Sequence, residues 1–332
     1  MLYLHAMGHF NPENIISNKF LEDLDIGTSN DWILERVGIV NRRTVLPLDY
    51  IKETKNADFR AAFEAGCYKN AQMAAQAARK ALERASLKPE DIGMVIAGSS
   101  SPDNIAPAES SAVAAELGIE VPCLDMNSAC SSFGMQMNFL SKMQPETLPP
   151  YVLVVDSETL TKSVDYSDRA VAVLFGDGSA AAIVSAQVPS RTVFCDCSYG
   201  SRPSACEKVG IDWKWRFHQD GNAVQGFAIR KTTEGVRHLK NVYADEAKRF
   251  IFIGHQANLI MLTTVCERAG ILPADHWYGV DQFGNTGCCG APSVLSAHWE
   301  DVQPGDRIAM SIVGAGLSWA HLMLKVEDNN HG

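Results

Sequence analysis

The feature that constrains this chain most is an alternation. Short runs rich in Val and Ile ("MVIAG" at 94 to 98, "YVLVVDS" at 151 to 157, "FIFIG" at 250 to 254, "RIAMSIVGAG" at 307 to 316) alternate with amphipathic stretches such as "NAQMAAQAARKALERASL" at 70 to 87 and "LIMLTTVCERAGIL" at 259 to 272. Runs that are apolar throughout belong to strands buried on both faces, and helices with one apolar face cover such strands. The chain is therefore expected to fold as α/β layers around largely buried strands. At 332 residues it can bury a substantial core without covalent staples. A nine-residue segment, "ERASLKPED" at 83 to 91, returns as "ERAGILPAD" at 267 to 275. In each copy a helix is expected to end, a Pro-containing turn to follow and a strand to begin, so the chain reads as two related halves, 1–186 and 187–332. Helix-to-strand turns favour these residues in any case. No long linker or low-complexity segment separates the halves, so they are expected to pack as one body.

Composition narrows the setting. The nine cysteines are odd in number and scattered, and include the adjacent pair Cys288 and Cys289, which does not suggest a disulfide framework. A reducing, cytoplasmic location is expected. The N-terminal "MLYLHAMGHFNPEN" has no basic segment followed by a long apolar one, and no window reaches the ~18 apolar residues of a membrane span, so a soluble protein is expected. A formal charge of -10 argues against general nucleic-acid binding, which rewards a basic surface. One segment departs from that balance. Trp213 to Arg249 holds eight Lys and Arg, among them Arg230, Lys231, Arg237, Lys240, Lys248 and Arg249, against four acids. It reads either as a solvated helix face or as a dock for an anionic carrier.

Three short stretches carry groups suited to chemistry. "MNSACSSFGMQMNF" at 126 to 139 places Cys130 among small residues where a strand ("VPCLDMN") turns into a helix. In the first helical turn, free N–H groups and the helix dipole would lower the thiol pKa and could bind an oxyanion. The plain alternative is a small buried hydrophobe. "IFIGHQANLI" at 251 to 260 puts His255 at the end of a buried strand, where open α/β sheets hold their ligands, or leaves it a core histidine. "DQFGNTGCCGAPS" at 281 to 293 has Asn285 at the tip of a Gly-rich turn, an ordinary loop feature by itself. Taken together, the three supply a nucleophile, a proton carrier or donor, and a neutral donor for a carbonyl or enolate, each beside a strand end. "CDC" at 195 to 197 with Cys206 lacks a second ligand pair for zinc, and "GAGLSWAHL" lacks the dinucleotide spacing, so neither metal nor cofactor is expected.

The chain resembles the β-ketoacyl-acyl-carrier-protein synthase III branch of the thiolase-like condensing enzymes. The likeness runs nearly end to end through "DWILERVGI" (31 to 39), "NSACSSF" (127 to 133), "DRAVAVLFGDGSAAAIV" (168 to 184), "GHQAN" (254 to 258), "FGNTG" (283 to 287) and "GAGLSW" (314 to 319). This resemblance implies a five-layered αβαβα fold made of two similar halves, and a homodimer with its site near the interface. It implies Cys130 as the acylated nucleophile, and His255 and Asn285 as the pair that binds the thioester carbonyl and promotes the second half-reaction. The main-chain N–H groups of Cys130 and Ala315 would form the oxyanion hole. Trp32, Arg36 and Arg169 would hold the nucleotide or pantetheine part of an acyl-CoA or acyl-carrier-protein thioester, and Asn222 would contact the pantetheine. The basic stretch would receive an acidic acyl carrier protein.

Two departures bear on substrate. The asparagine turn continues as "NTGCCGAPS", where primary-metabolism members usually have Asn-Thr-Ser-Ala-Ala-Ser, and "DNIAPAE" offers Ala106 where an aromatic residue often closes the acyl pocket from the partner subunit. A longer or more open pocket is expected, suited to medium or long acyl chains in fatty-acid or specialised lipid and polyketide synthesis, as in relatives that join two chains head to head. The competing readings are an acyltransferase on the same fold with an oxygen or nitrogen acceptor, and a noncatalytic subunit of a condensing heterodimer. Asn285 speaks against the first, and the presence of all three groups against the second.

Overall fold

The computed structural model describes residues 1–327. Nine strands form one mixed sheet: β1 Leu2–Phe10, β2 Met94–Gly98, β3 Cys123–Asp125, β4 Val152–Glu158, β5 Gly178–Ser185, β6 Thr192–Ser201, β7 Arg249–Gly254, β8 Asp306–Gly314 and β9 Ser318–Val326. Their order is β7-β8-β9-β6-β1-β5-β4-β2-β3. Read outward from the β1/β6 junction, the two sides repeat one another. On one side β1-β5 and β5-β4 are antiparallel, and β4-β2 and β2-β3 parallel. On the other, β6-β9 and β9-β8 are antiparallel and β8-β7 parallel, and a parallel bridge from Phe252 to His276 stands where a fifth strand would lie.

Seven helices position the site: α1 Asn30–Val37, α2 Asn70–Ala85, α3 Glu109–Leu117, α4 Ser132–Leu140, α5 Gly221–Tyr243, α6 Leu259–Ala269 and α7 Gly290–Ala297. The first strand series is covered outside by α2 and α3, and the second by α5 and α6. Between the two series lie α4 and α7, whose Phe133, Met137, Val294 and Leu295 share one core with residues of β1, β7, β8 and β9. This arrangement is the expected five-layered αβαβα fold. The sequence of α2 shows why its layer is thin: Ala71, Ala74, Ala75, Ala77, Ala78 and Ala81 are its buried face. Small residues let the helix lie directly on β1, so closely that a Cβ on Gly8 would stand 2.0 Å from the Ala77 carbonyl oxygen. Leu4, Ile253, Leu295 and Ile312 are fully buried, and each such side chain contributes about 1.5–3 kcal/mol.

The two halves are real in topology, but the nine-residue sequence repeat does not mark them. Its first copy closes α2 and leads into β2, the second strand of its series in chain order; its second copy closes α6 and leads only to the His276 bridge, in the place of the third. The two segments match because both are helix ends followed by a Pro-led turn (Pro89–Asp91 and Pro273–Asp275), and the strand expected after the second is absent. No helix among the described residues is long and apolar enough to cross a membrane.

Candidate active site

Cys130 lies between β3 and α4, in a turn built by its neighbours' side chains. Asn127 Oδ1 accepts from the Ala129 N–H at 2.8 Å, and its amide nitrogen donates to the Ser99 carbonyl at 2.7 Å. Ser132 Oγ accepts from the Ser128 N–H at 2.8 Å and donates to the Ala129 carbonyl at 2.7 Å. These ties hold Ala129 at φ 48°, a left-handed conformation that costs a non-glycine residue about 1–2 kcal/mol and turns the next side chain out of the chain path. Against this turn lies Gly314, where a Cβ would stand 2.7 Å from the Ser131 nitrogen.

Two expectations about Cys130 are corrected here. The helix begins at Ser132 with Ser131 as its N-cap, so the cysteine precedes the helix rather than sitting in its first turn. Its pKa is also raised, not lowered: burial pushes the thiol up to about 12, and the charge of Glu158 adds to the shift. Burial and the Glu158 charge outweigh the one backbone hydrogen bond that favours the thiolate, and the resting group is a neutral thiol.

His255 follows β7 directly, its N–H donating to the Ser311 carbonyl at 3.0 Å, and only 5% of its surface is exposed. Burial lowers its pKa to about 4, so the ring is neutral. Its Nδ1 is buried without a hydrogen-bond partner among the described residues. Such groups are rare and call for an explanation, of which a ligand is one. Asn285 sits after a helical turn, Val280–Phe283, and is bridged to Phe175, so it is not at a strand end as expected. Its Oδ1 accepts from the Gly287 N–H at 3.0 Å, which fixes the carboxamide orientation and leaves the NH2 end as the donor.

All three side chains line one cavity of ≈ 500 Å³, which runs from Cys130 past Leu174 and Phe227 to a mouth at Trp32, Arg36 and Asn222. A second cavity of ≈ 510 Å³ leads away from Cys130 past Glu158, Leu160, Tyr199 and Ile211. Cys130, Phe175, Val209, Phe217 and Ala315 line both, so the sulfur stands where two arms meet. Ser29 caps α1 through the Trp32 N–H and Gly38 ends it at φ 68°, which sets Trp32 and Arg36 one turn apart on one face. The guanidinium of Arg36 lies 4.7 Å from the Trp32 ring centre and that of Arg169 lies 5.0 Å from it. This is a flat aromatic surface flanked by two cations.

Ala106 is not brought to either arm within the chain; it lies in an exposed loop, joined by a cis peptide to Pro107 and next to Ile105, which is 94% exposed. Much of the basic stretch is engaged within the fold. Arg237 donates to the Arg268 carbonyl and Lys240 to that of Gly270, satisfying the end of α6, while Arg249 pairs with Asp306 at 2.5 Å. Arg230 and Lys231 share Glu234 on the exposed face of α5.

Sequence reasoning passed over Glu158, which is fully buried at the end of β4 and lines the second arm. It accepts from the Ser100 N–H at 3.0 Å, Ser101 Oγ at 2.6 Å and Cys288 Sγ at 3.1 Å. Burial raises its pKa against these donors. The available signal was the polar ending Asp156-Ser157-Glu158 on the apolar run 152–155. Glu158 also gives Cys288 a partner that the sequence left unassigned.

Comparison with known proteins agrees with this picture. Residues 124–203 match the family model for 3-oxoacyl-[acyl-carrier-protein (ACP)] synthase III, and residues 241–326 that for its C-terminal part. The β-ketoacyl-[acyl-carrier-protein] synthase III of Syntrophomonas wolfei is 30% identical over 342 residues, covering 96% of each chain. That of Campylobacter jejuni subsp. doylei is 28% identical and covers 98% of each. The crystal structure of the Aquifex aeolicus 3-oxoacyl-[acyl-carrier-protein] synthase III superposes with a TM-score of 0.85 at 27% identity, covering 98% of this chain and 100% of that one.

Proposed function

The chain belongs to the 3-oxoacyl-[acyl-carrier-protein] synthase III family of condensing enzymes, and from that premise we propose that it loads an acyl group from a thioester onto Cys130 and joins it to a second thioester. The observation that carries the reading is the junction of two arms at a neutral thiol faced by two neutral hydrogen-bonding side chains.

In the first half-reaction the Cys130 sulfur attacks the thioester carbon. The C–S bond to the carrier thiol breaks, and that thiol leaves with the proton the cysteine gives up. N–H groups of Cys130 and Ala315 receive the oxyanion. In the second, a malonyl-type thioester loses carbon dioxide, and its carbonyl oxygen takes the enolate charge against the His255 and Asn285 donors. The enolate carbon bonds to the acyl carbon, and the Cys130 sulfur departs as a thiolate that takes a proton from solvent. Neutral donors suit the step, since a carboxylate at 285 would repel the enolate. Burial keeps His255 in the form that has one N–H to give.

The first arm is the entry path. Trp32, Arg36 and Arg169 offer stacking and charge to a nucleotide, and Asn222 a polar contact to pantetheine. A carrier protein would dock on the α5 face near Arg230 and Lys231, two cations that share one exposed carboxylate, Glu234, whereas Arg237 and Lys240 cap the end of α6 and Arg249 pairs with buried Asp306. The second arm, ≈ 510 Å³ in volume, would hold a medium acyl chain, in fatty-acid synthesis or a specialised lipid or polyketide pathway, including head-to-head joining. A homodimer is supported by the outer edge of β3, unpaired among the described residues, and by exposed Ile105 beside Ala106. Incubation with acyl-CoA and malonyl-carrier protein should yield a 3-oxoacyl product with the native protein and none with Cys130→Ala; product formation by that variant would overturn the reading.

A further inference from the structure

The wall of the second arm beside Cys130 carries hydroxyl groups in an arrangement that ordinary packing does not require. Ser128 Oγ lies 2.8 Å from Tyr199 Oη, 3.0 Å from Ser131 Oγ and 3.3 Å from Ser318 Oγ, and Ser131 Oγ lies 2.8 Å from Ser318 Oγ. Two of these groups also face carbonyls: Ser131 Oγ donates to Ser128 O and Ser318 Oγ to Ala315 O, both at 2.9 Å. Each hydroxyl has one proton, so these contacts outnumber the protons available to them. Ser128 is the one printed partner of Tyr199 Oη, so every assignment that uses all four protons within these contacts has Tyr199 donating to Ser128; one such assignment sends the protons of Ser131 and Ser318 to the carbonyls and that of Ser128 to a neighbouring serine. The Tyr199 oxygen is then left with accepting capacity and no proton to donate. Ser131 is buried behind the wall, and Ser128, Tyr199 and the largely buried Ser318 line the arm together with Leu160 and Ile211.

We propose that the second arm selects an acyl group carrying a hydroxyl within the first few carbons of its thioester, with Tyr199 accepting that hydroxyl's hydrogen bond. The inference rests on acylation of Cys130 as proposed above. A plain alkyl chain would leave the tyrosine oxygen without a donor, and a 3-oxo group would meet it acceptor to acceptor, so both are disfavoured against the 3-hydroxyacyl chain of equal length. Ser128 is a positioning residue that holds the tyrosine in the accepting role.

The test is competitive loading of the full-length protein with equimolar 3-hydroxyoctanoyl-, 3-oxooctanoyl- and octanoyl-CoA, read by intact-protein mass spectrometry at early times. The hydroxyacyl adduct should exceed each of the others about five- to tenfold, the worth of one hydrogen bond. In Tyr199→Phe the ratio should fall to about one; because it is read within a single protein, a general loss of activity cancels. Equal loading by the native protein, or an unchanged ratio in both Tyr199→Phe and Ser128→Ala, overturns the inference while leaving Cys130 as the nucleophile. Absence of any Cys130 adduct removes the proposed function and this inference with it.

Discussion

The turn that holds Cys130 and the turn that holds Asn285 occupy the same place in the two halves. Each follows the third strand position of its series, β3 in one and the His276 bridge in the other, and each precedes a helix of the middle layer, α4 or α7. Their chemistry is opposite. The first presents a thiol on a strained backbone held by Asn127 and Ser132; the second presents a carboxamide whose orientation is set by a single N–H. A similar contrast separates the ends of β2 and β7. After β2 the chain runs into Ser99–Ser101, whose groups bind Glu158, whereas after β7 it runs into His255 with an unpartnered nitrogen. One framework thus supplies four matched positions around the middle layer, and in the proposed reaction the two halves would divide covalent from electrostatic work.

The sharpest way to break this comparison is to remove the donors of the second half. His255→Ala and Asn285→Ala should each lower condensation about 10²–10³-fold, the usual effect of losing one oxyanion donor, while acyl loading of Cys130 stays within a few-fold of native. Parallel loss of both steps would show that the halves do not divide the work. Asn285→Asp sharpens the same point, since a charge there should depress condensation further than alanine does.

Next in size is the entry arm. Trp32→Ala should raise the KM for acyl-CoA about tenfold, with little effect on a short acyl thioester that lacks the nucleotide. An equal effect on both would place Trp32 outside nucleotide binding.

The thiol's environment predicts a pH dependence. With the pKa pushed up to about 12, the thiolate fraction grows about tenfold per pH unit below that value. Alkylation of Cys130 by iodoacetamide should therefore keep rising between pH 7 and 10; a plateau near pH 8 would mean that the helix end, not burial, sets the group. Smallest is a packing change. Gly314→Ala forces a Cβ against the Ser131 nitrogen and should cost about 1–3 kcal/mol in denaturant unfolding, with slower loading.

The layered α/β architecture was legible because strands buried on both faces carry mostly apolar runs, such as 95–97 of β2, 152–155 of β4 and 308–313 of β8. Cys130, His255 and Asn285, which the fold brings to one cavity, stood out in the sequence through their small neighbours and the family resemblance. The thiol's pKa was not, because it depends on burial and on Glu158, a residue 28 positions away in sequence that only the fold brings near. The halves were recognised through the wrong segment, since strand order and polarity repeat without leaving a matching sequence. Ser128, Ser131, Tyr199 and Ser318 read as separate small or strand residues until β6, β9 and the Cys130 turn come together.

The central claim is that the acyl group rests on one turn and is consumed by the other. The direct measurement is the mass of the peptide bearing residue 130, taken after acyl-CoA alone and again after a malonyl thioester is added. The native adduct should form and then vanish, while in Asn285→Ala it should form and remain. An acyl group found on any other residue, or an adduct that disappears equally fast in the variant, would contradict the account.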